Sequence, residues 1–208
     1  MNPAFNTAAG PDGQAAKEQA PEKEKEHLSL GEKLLKSRTI LLAEPISRKV
    51  AERVTAKLLL LDQESETESI NLYINSPGGD VDAGFCIYDT ARFIKAPVRC
   101  ISAGLTASAA IIVLLAAPKK LRVGFPNARF LIHQPSMGVR GSTADIQIEA
   151  SEILKIRQRI NQLVAEETGQ SLEKVEHDTR RNYWIGAEEA KAYGLISRIA
   201  KSKSELTR

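Results

Sequence analysis

The chain has 208 residues, 42% of them hydrophobic and 26% charged, a length and balance that fit one domain around a single core. Its two cysteines exclude a disulfide framework and a four-thiolate metal site, and they predict a cytoplasmic setting. With 29 Lys and Arg against 26 Asp and Glu, the formal charge of +3 is too even to build a patch for nucleic acid or a membrane surface.

The first 27 residues are mostly Ala, Gly, Pro, Asn, Gln, Glu and Lys, with Phe5 the one aromatic and charges alternating in sign from Lys17 to Glu26. Such a segment cannot bury enough surface to offset its ordering entropy, so residues 1–27 read as a disordered polar tail. It lacks the basic and apolar regions of a secretory signal. His27, at its edge, drops out as a catalytic candidate.

From Leu28 the pattern turns globular. Thr39 to Leu42 reads as a short strand, and Ser47 caps a helix whose apolar residues Val50, Val54, Leu58 and Leu61 fall at helical spacing. Ile70 to Ile74 alternates as a strand does, and Ser76-Pro-Gly-Gly79 breaks it. A helix from about Ala83 to Ile94 stops before Pro97, and Val98 to Ser102 reads as the next strand. Strands alternating with helices across short connections predict right-handed crossovers and a largely parallel, buried sheet.

No charged residue lies between Arg99 and Lys119, but Ser102, Gly104, Thr106 and Ser108 interrupt the stretch. A membrane span needs about 20 predominantly apolar residues. A buried strand, a turn and a buried helix fit better, and no membrane is expected.

Ser142-Thr-Ala-Asp145 resembles a capping box and opens a long helix with apolar positions at Ile146, Ala150, Ile153, Ile156, Ile160 and Leu163, ending near Gly169. Its other face is charged. Such a helix either lies on its own domain or projects toward a neighbouring copy. Ser171 starts a further short helix, and Ala187 to Tyr193 forms another before an apolar stretch from Leu195 to Ile199.

Three features bear on chemistry. In Ser76-Pro-Gly-Gly79, adjacent glycines let backbone N–H groups approach a substrate backbone or a developing oxyanion, although an ordinary turn looks the same. No Walker spacing or dinucleotide fingerprint accompanies them. In Gly104-Leu-Thr-Ala-Ser-Ala-Ala110, Ser108 sits where a strand gives way to a helix, which suits either a cap or a nucleophile. Phe130-Leu-Ile-His-Gln-Pro135 delivers His133 at a strand end, as a structural histidine or a general base. His177 lies in a charged segment that reads as a solvated helix face. Lys119 and Lys120 are weaker candidates for a base, being in a basic loop.

These features in this order resemble the proteolytic subunit of the Clp protease, a serine peptidase of crotonase-like α/β fold. The resemblance covers about residues 28–200. It rests on Tyr73-Ile-Asn-Ser-Pro-Gly-Gly79, the small residues around Ser108, Ile132-His-Gln-Pro135, Thr143-Ala-Asp-Ile146 with Glu152-Ile-Leu-Lys155, Thr168-Gly-Gln-Ser171, Ala187-Glu-Glu-Ala190 and Tyr193-Gly-Leu-Ile196.

The resemblance implies a β-α-β spiral with a projecting handle over about residues 134–168, a peptidase domain over 28–200 and a C-terminal tail over 201–208. It implies Ser108 as nucleophile, His133 as general base and Asn182 as third triad member, where the family usually has Asp. The oxyanion hole would be the backbone N–H groups of Gly79 and Ala109, with Gly78, Gly79 and Pro135 binding substrate and no metal. Leu105 and Ala109-Ala110 stand where the family commonly has Gln and Met-Gly. Asp178, one helical turn before Asn182, is the other source of charge for the imidazole. The implied partners are further copies in stacked heptameric rings, with or without a paralogous subunit, an AAA+ Clp ATPase that consumes the ATP, and unfolded proteins. No cofactor is implied on this chain. The alternative is a catalytically weak structural or regulatory paralogue completing a mixed barrel. An acyl-CoA hydratase or isomerase, which the crotonase fold also hosts, leaves Ser108 and His133 without a role.

Overall fold

The computed structural model describes residues 29–136 and 138–206. The expected polar tail, residues 1–27, lies outside them. Short helix α1 (Leu30–Lys36) precedes β1 (Thr39–Leu42), α2 (Arg48–Glu64), β2 (Ile70–Ser76), α3 (Val81–Phe93) and β3 (Val98–Ala107). Helix α4 (Ala109–Leu115), β4 (Arg122–Gly124) and β5 (Arg129–Ile132) follow, then α5 (Thr143–Thr168), α6 (Leu172–Asp178), β6 (Tyr183–Gly186), α7 (Ala187–Tyr193) and β7 (Arg198–Ile199).

The sheet runs β1-β2-β3-β4-β7, with parallel pairing throughout that path. β3 serves two neighbours. Its Cys100–Ser102 stretch pairs with β4, while Leu105–Ala107 pairs in parallel with β5. β6 then adds to β5 antiparallel, setting Ile132 opposite Tyr183. The alternating core pattern of β2 buries Ile70, Leu72 and Ile74, and Val50, Val54, Leu58 and Leu61 of α2 fill the same cluster. The parallel sheet and the intervening helices follow the order expected from the sequence.

Helix α4 is buried at every position, which explains the charge-free stretch around it. Its C-terminal end is held by Arg122, whose fully buried guanidinium donates to the carbonyls of Leu115, Ala117 and Glu167 and pairs with the Glu167 carboxylate. Glu167 also pairs with Arg92 of α3. One carboxylate thus ties the base of α5 to α3, β4 and the end of α4.

Helix α5 begins at Thr143 with the expected Ser142–Asp145 capping box, and Gly169 ends it in the left-handed conformation. Residues 134–142, expected as part of the handle, carry no helix among those described. The two halves of α5 differ. Val164, Ala165 and Thr168 are buried, whereas Ile146, Ile148 and Leu154 are 45%, 60% and 60% exposed. Residues 201–206, expected as a tail, instead pack through Leu206, whose carbonyl accepts from Arg198. Among the described residues, no helix is long and apolar enough to cross a membrane.

Candidate active site

Ser108 occupies the N-cap position of α4, yet its side chain caps nothing. Its backbone lies at φ 56°, ψ −124°, a conformation that costs a non-glycine residue about 1–3 kcal/mol. Its N–H is spent on the carbonyl of Leu131 in β5, at 2.9 Å. A serine kept there only to cap the helix would bond to the first-turn N–H groups. This one holds its hydroxyl free of them, and the reading of Ser108 as a mere cap fails on that point.

The glycine turn packs directly on this junction. A Cβ built on Gly78 would stand 2.5 Å from the Ala107 carbonyl oxygen, 2.7 Å from the Ser108 Cβ and 2.8 Å from the Ala109 nitrogen. Gly78 has φ +87°, so the left-handed backbone and the close approach both require glycine. Gly78 was expected to bind substrate, but its N–H donates to Ser76 Oγ and its carbonyl accepts from Ile46. It spaces the site instead of offering a backbone contact. Gly79 forms a parallel bridge with Ile46, in which Ile46 accepts from Asp80 and donates to Gly78. The Gly79 N–H takes no part in that bridge. Among the described residues, neither it nor the Ala109 N–H donates a backbone hydrogen bond; these are the two N–H groups expected of an oxyanion hole, and they follow directly on the Gly78–Ser108 contact in the chain.

His133 follows β5 by one residue, so the strand that receives the Ser108 N–H also delivers the imidazole. Ser108 and His133 line one narrow apolar slot of about 20 Å³, with Val81, Ile111, Ile132 and Pro135 among its walls. His133 Nε2 is buried and has no hydrogen-bond partner among the described residues. Burial holds the imidazole below its ordinary value of 6.5, against an upward pull from the neighbouring Asn182 side chain.

The rival residues lie elsewhere. The Asp178 carboxylate bonds to Lys174, to the Tyr193 hydroxyl and to His177, and supplies no charge to His133. His177 is 79% exposed on α6, as expected of a solvated face. Lys119 donates to the carbonyl of Thr168 beyond the far end of α4, a seven-residue helix about 10 Å long that separates it from Ser108. Among the described residues, no three of His, Cys, Asp and Glu cluster as a metal site.

Ile46 is the supporting residue that sequence reasoning did not single out. It stands just before the Ser47 cap, where an apolar residue ordinarily staples the helix, so its bridge to Gly79 has no local signal.

A family model described as Clp protease matches residues 22–203. The chain belongs to the Clp protease family. It is 50% identical over 178 residues to ATP-dependent Clp protease proteolytic subunit 2 of Treponema denticola, covering 86% of this chain and 89% of that one. It is 48% identical over 173 residues to proteolytic subunit 3 of Rhizobium etli, covering 83% and 89%. Among solved structures, an Asn-to-Asp variant of ClpP1 from Listeria monocytogenes superposes with a TM-score of 0.79 at 43% identity, covering 86% of this chain and 99% of that chain. The Clp-type, crotonase-like α/β fold expected from the sequence is the fold of this chain.

Proposed function

We propose that this chain is a serine endopeptidase subunit of an ATP-dependent Clp protease, cleaving unfolded proteins through Ser108, His133 and Asn182. The observation that carries the reading is the uncapped, strained Ser108 sharing one slot with the unpartnered Nε2 of His133. In the reaction, Ser108 Oγ attacks the scissile carbonyl while His133 Nε2 takes its proton. The N–H groups of Gly79 and Ala109 receive the developing oxyanion. His133 then returns the proton to the leaving amine, and water, deprotonated by the same nitrogen, releases the acyl group. Asn182 holds the tautomer that leaves Nε2 basic, and Gly79 and Pro135 flank the substrate chain.

The reaction uses no cofactor on this chain; ATP is consumed by an AAA+ Clp ATPase that feeds unfolded protein. The exposed Ile146, Ile148 and Leu154 on the projecting half of α5 support self-association of heptameric rings into a tetradecamer, with or without a paralogous subunit. The unpaired cysteines Cys86 and Cys100 fit a cytoplasmic setting.

A second reading, a weakly catalytic subunit in a mixed barrel, draws support from Asn182. It brings no charge to the imidazolium, and in a trypsin-like triad the Asp-to-Asn change costs about 10⁴ in kcat. Fluorophosphonate labelling and peptidase assays on the chain alone and mixed with a paralogue separate the two. Ser108 labelling that Ser108→Ala abolishes supports the first reading. An unlabelled Ser108 in both preparations overturns it in favour of the second.

A further inference from the structure

Strand β2 ends at Ser76, where its pairing with β3 shifts register between Ile74 and Ser76 and the glycine turn begins. The Ser76 side chain is fully buried, and its hydroxyl bonds in both directions. It accepts from the Gly78 N–H at 3.2 Å, the two-residue reach by which serine closes a turn on its own backbone. It donates to the Glu44 carbonyl at 2.7 Å, in the segment that leads into α2. That segment grips the turn again two residues later. There the Ile46 N–H donates to the Gly78 carbonyl at 2.8 Å, and the Ile46 carbonyl accepts from the Asp80 N–H at 2.9 Å. Ser102 and Thr106 of β3 are also buried, with Thr106 directly opposite Ser76, yet their hydroxyls have no hydrogen-bond partner among the described residues. Burial in this part of the sheet does not by itself commit a hydroxyl, and that of Ser76 is committed twice.

Gly78 is thus held by both of its backbone groups, its N–H on Ser76 and its carbonyl on Ile46. The second bond orients the next peptide. A trans peptide points its C=O and N–H in opposite directions, so a Gly78 carbonyl fixed on Ile46 turns the Gly79 N–H away from that segment. With a glycine on each side, this peptide meets little steric resistance to turning over. A turned peptide would offer a carbonyl oxygen where the oxyanion needs a donor. We propose that Ser76 is a positioning residue for the Gly79 N–H. Its hydroxyl clamps the Pro77–Gly78 peptide to the Glu44 carbonyl and thereby keeps the following peptide in the donor orientation. The part this plays in catalysis rests on the peptidase reading, whereas the clamp is a property of the fold and is measured without turnover.

The test compares Ser76→Ala with Thr106→Val, which removes the unpartnered hydroxyl opposite, in the assembled full-length chain. Ser76→Ala should lower kcat for a fluorogenic peptide about 100-fold, as a misplaced oxyanion donor does, with KM within about threefold of the parent. A peptide aldehyde forms a hemiacetal with Ser108 whose oxygen takes the oxyanion position, and its affinity should fall by the same factor. Hydrogen exchange supplies the measurement without turnover. The Gly78 amide should exchange about tenfold faster or more in Ser76→Ala. Thr106→Val should leave kcat and the exchange rate as they are. Ser76→Cys, close in size but a weak donor and acceptor, should lie between the parent and Ser76→Ala in both readouts. Unchanged kcat or unchanged Gly78 exchange in Ser76→Ala overturns the proposal, as does a loss of kcat with the aldehyde affinity intact. So does an equal loss in Thr106→Val, since packing would then be the cause. An unlabelled Ser108 in the fluorophosphonate experiment defeats the peptidase reading alone and leaves the Gly78 exchange to decide whether Ser76 holds the turn.

Discussion

Gly78 lies against Ser108 so closely that a single methyl group would stand 2.7 Å from the serine Cβ. The contact sets the position of the Gly79 N–H relative to the nucleophile. Gly78→Ala should therefore remove activity even where the chain still folds. We expect fluorophosphonate labelling of Ser108 to slow at least 100-fold. Thermal unfolding should show a loss of about 1–3 kcal/mol, or several degrees in Tm. Unchanged labelling would show that the turn yields.

The pH dependence of the reaction follows from His133. A general base works in its neutral form, and burial keeps this imidazole below its ordinary value of 6.5. The acid limb of kcat/KM should consequently have its midpoint below 6.5, with full activity retained through neutral pH. Asn182→Asp places a negative charge beside the ring, favours the imidazolium and moves that midpoint upward. The same change should raise kcat by tenfold or more, with about 10⁴ as the upper guide. A pH–rate profile of both forms checks the two effects together.

Asp178 gives the complementary control. Its carboxylate is spent on Lys174, Tyr193 and His177. Asp178→Ala should change kcat/KM less than threefold while costing about 1 kcal/mol in urea unfolding. A large kinetic loss would place its charge at the imidazole after all.

Arg122 and Glu167 make the most consequential buried pair. Glu167→Ala leaves a fully buried guanidinium with only carbonyl partners and frees Arg92 as well. Such uncompensated charges cost about 3–5 kcal/mol. Denaturant unfolding should show a loss of that size, whereas Arg122→Met combined with Glu167→Gln should recover much of it.

The two cysteines should differ sharply in reactivity. Burial pushes the Cys100 thiol up to about 12, and its Sγ faces the Val113 carbonyl, while Cys86 is exposed. A thiol reagent at pH 8 should modify one cysteine per native chain and two after denaturation.

Much of this architecture is legible in the residues. β2 and α2 carry clear periodicity because each buries one face over several pleats or turns, and α5 announces itself by its Ser142–Asp145 capping box and Gly169. The branch in the sheet was not legible. β4, β6 and β7 are three, four and two residues long, too short to establish a period. Leu206 and its neighbours read as a tail because their burial depends on Arg198 and the sheet edge. Within the site, residue types pointed to Ser108, His133 and Gly79. Geometry alone distinguishes Ser108 from a cap, through its positive φ and its unbonded hydroxyl. Asp178 illustrates the same limit from the other side. One helical turn from Asn182 made it a reasonable partner for the imidazole, until Lys174, Tyr193 and His177 claimed it across the fold.

The bond from Ser108 N–H to Leu131 has a consequence for how activity arises. Leu131 and His133 belong to one short extended segment, so a slip of β5 by one residue would turn His133 to the opposite face and withdraw the acceptor that seats Ser108. Nucleophile and base thus share one pairing event during folding. A misregistered chain loses both at once, and a peptidase made this way stays inert until its sheet is complete.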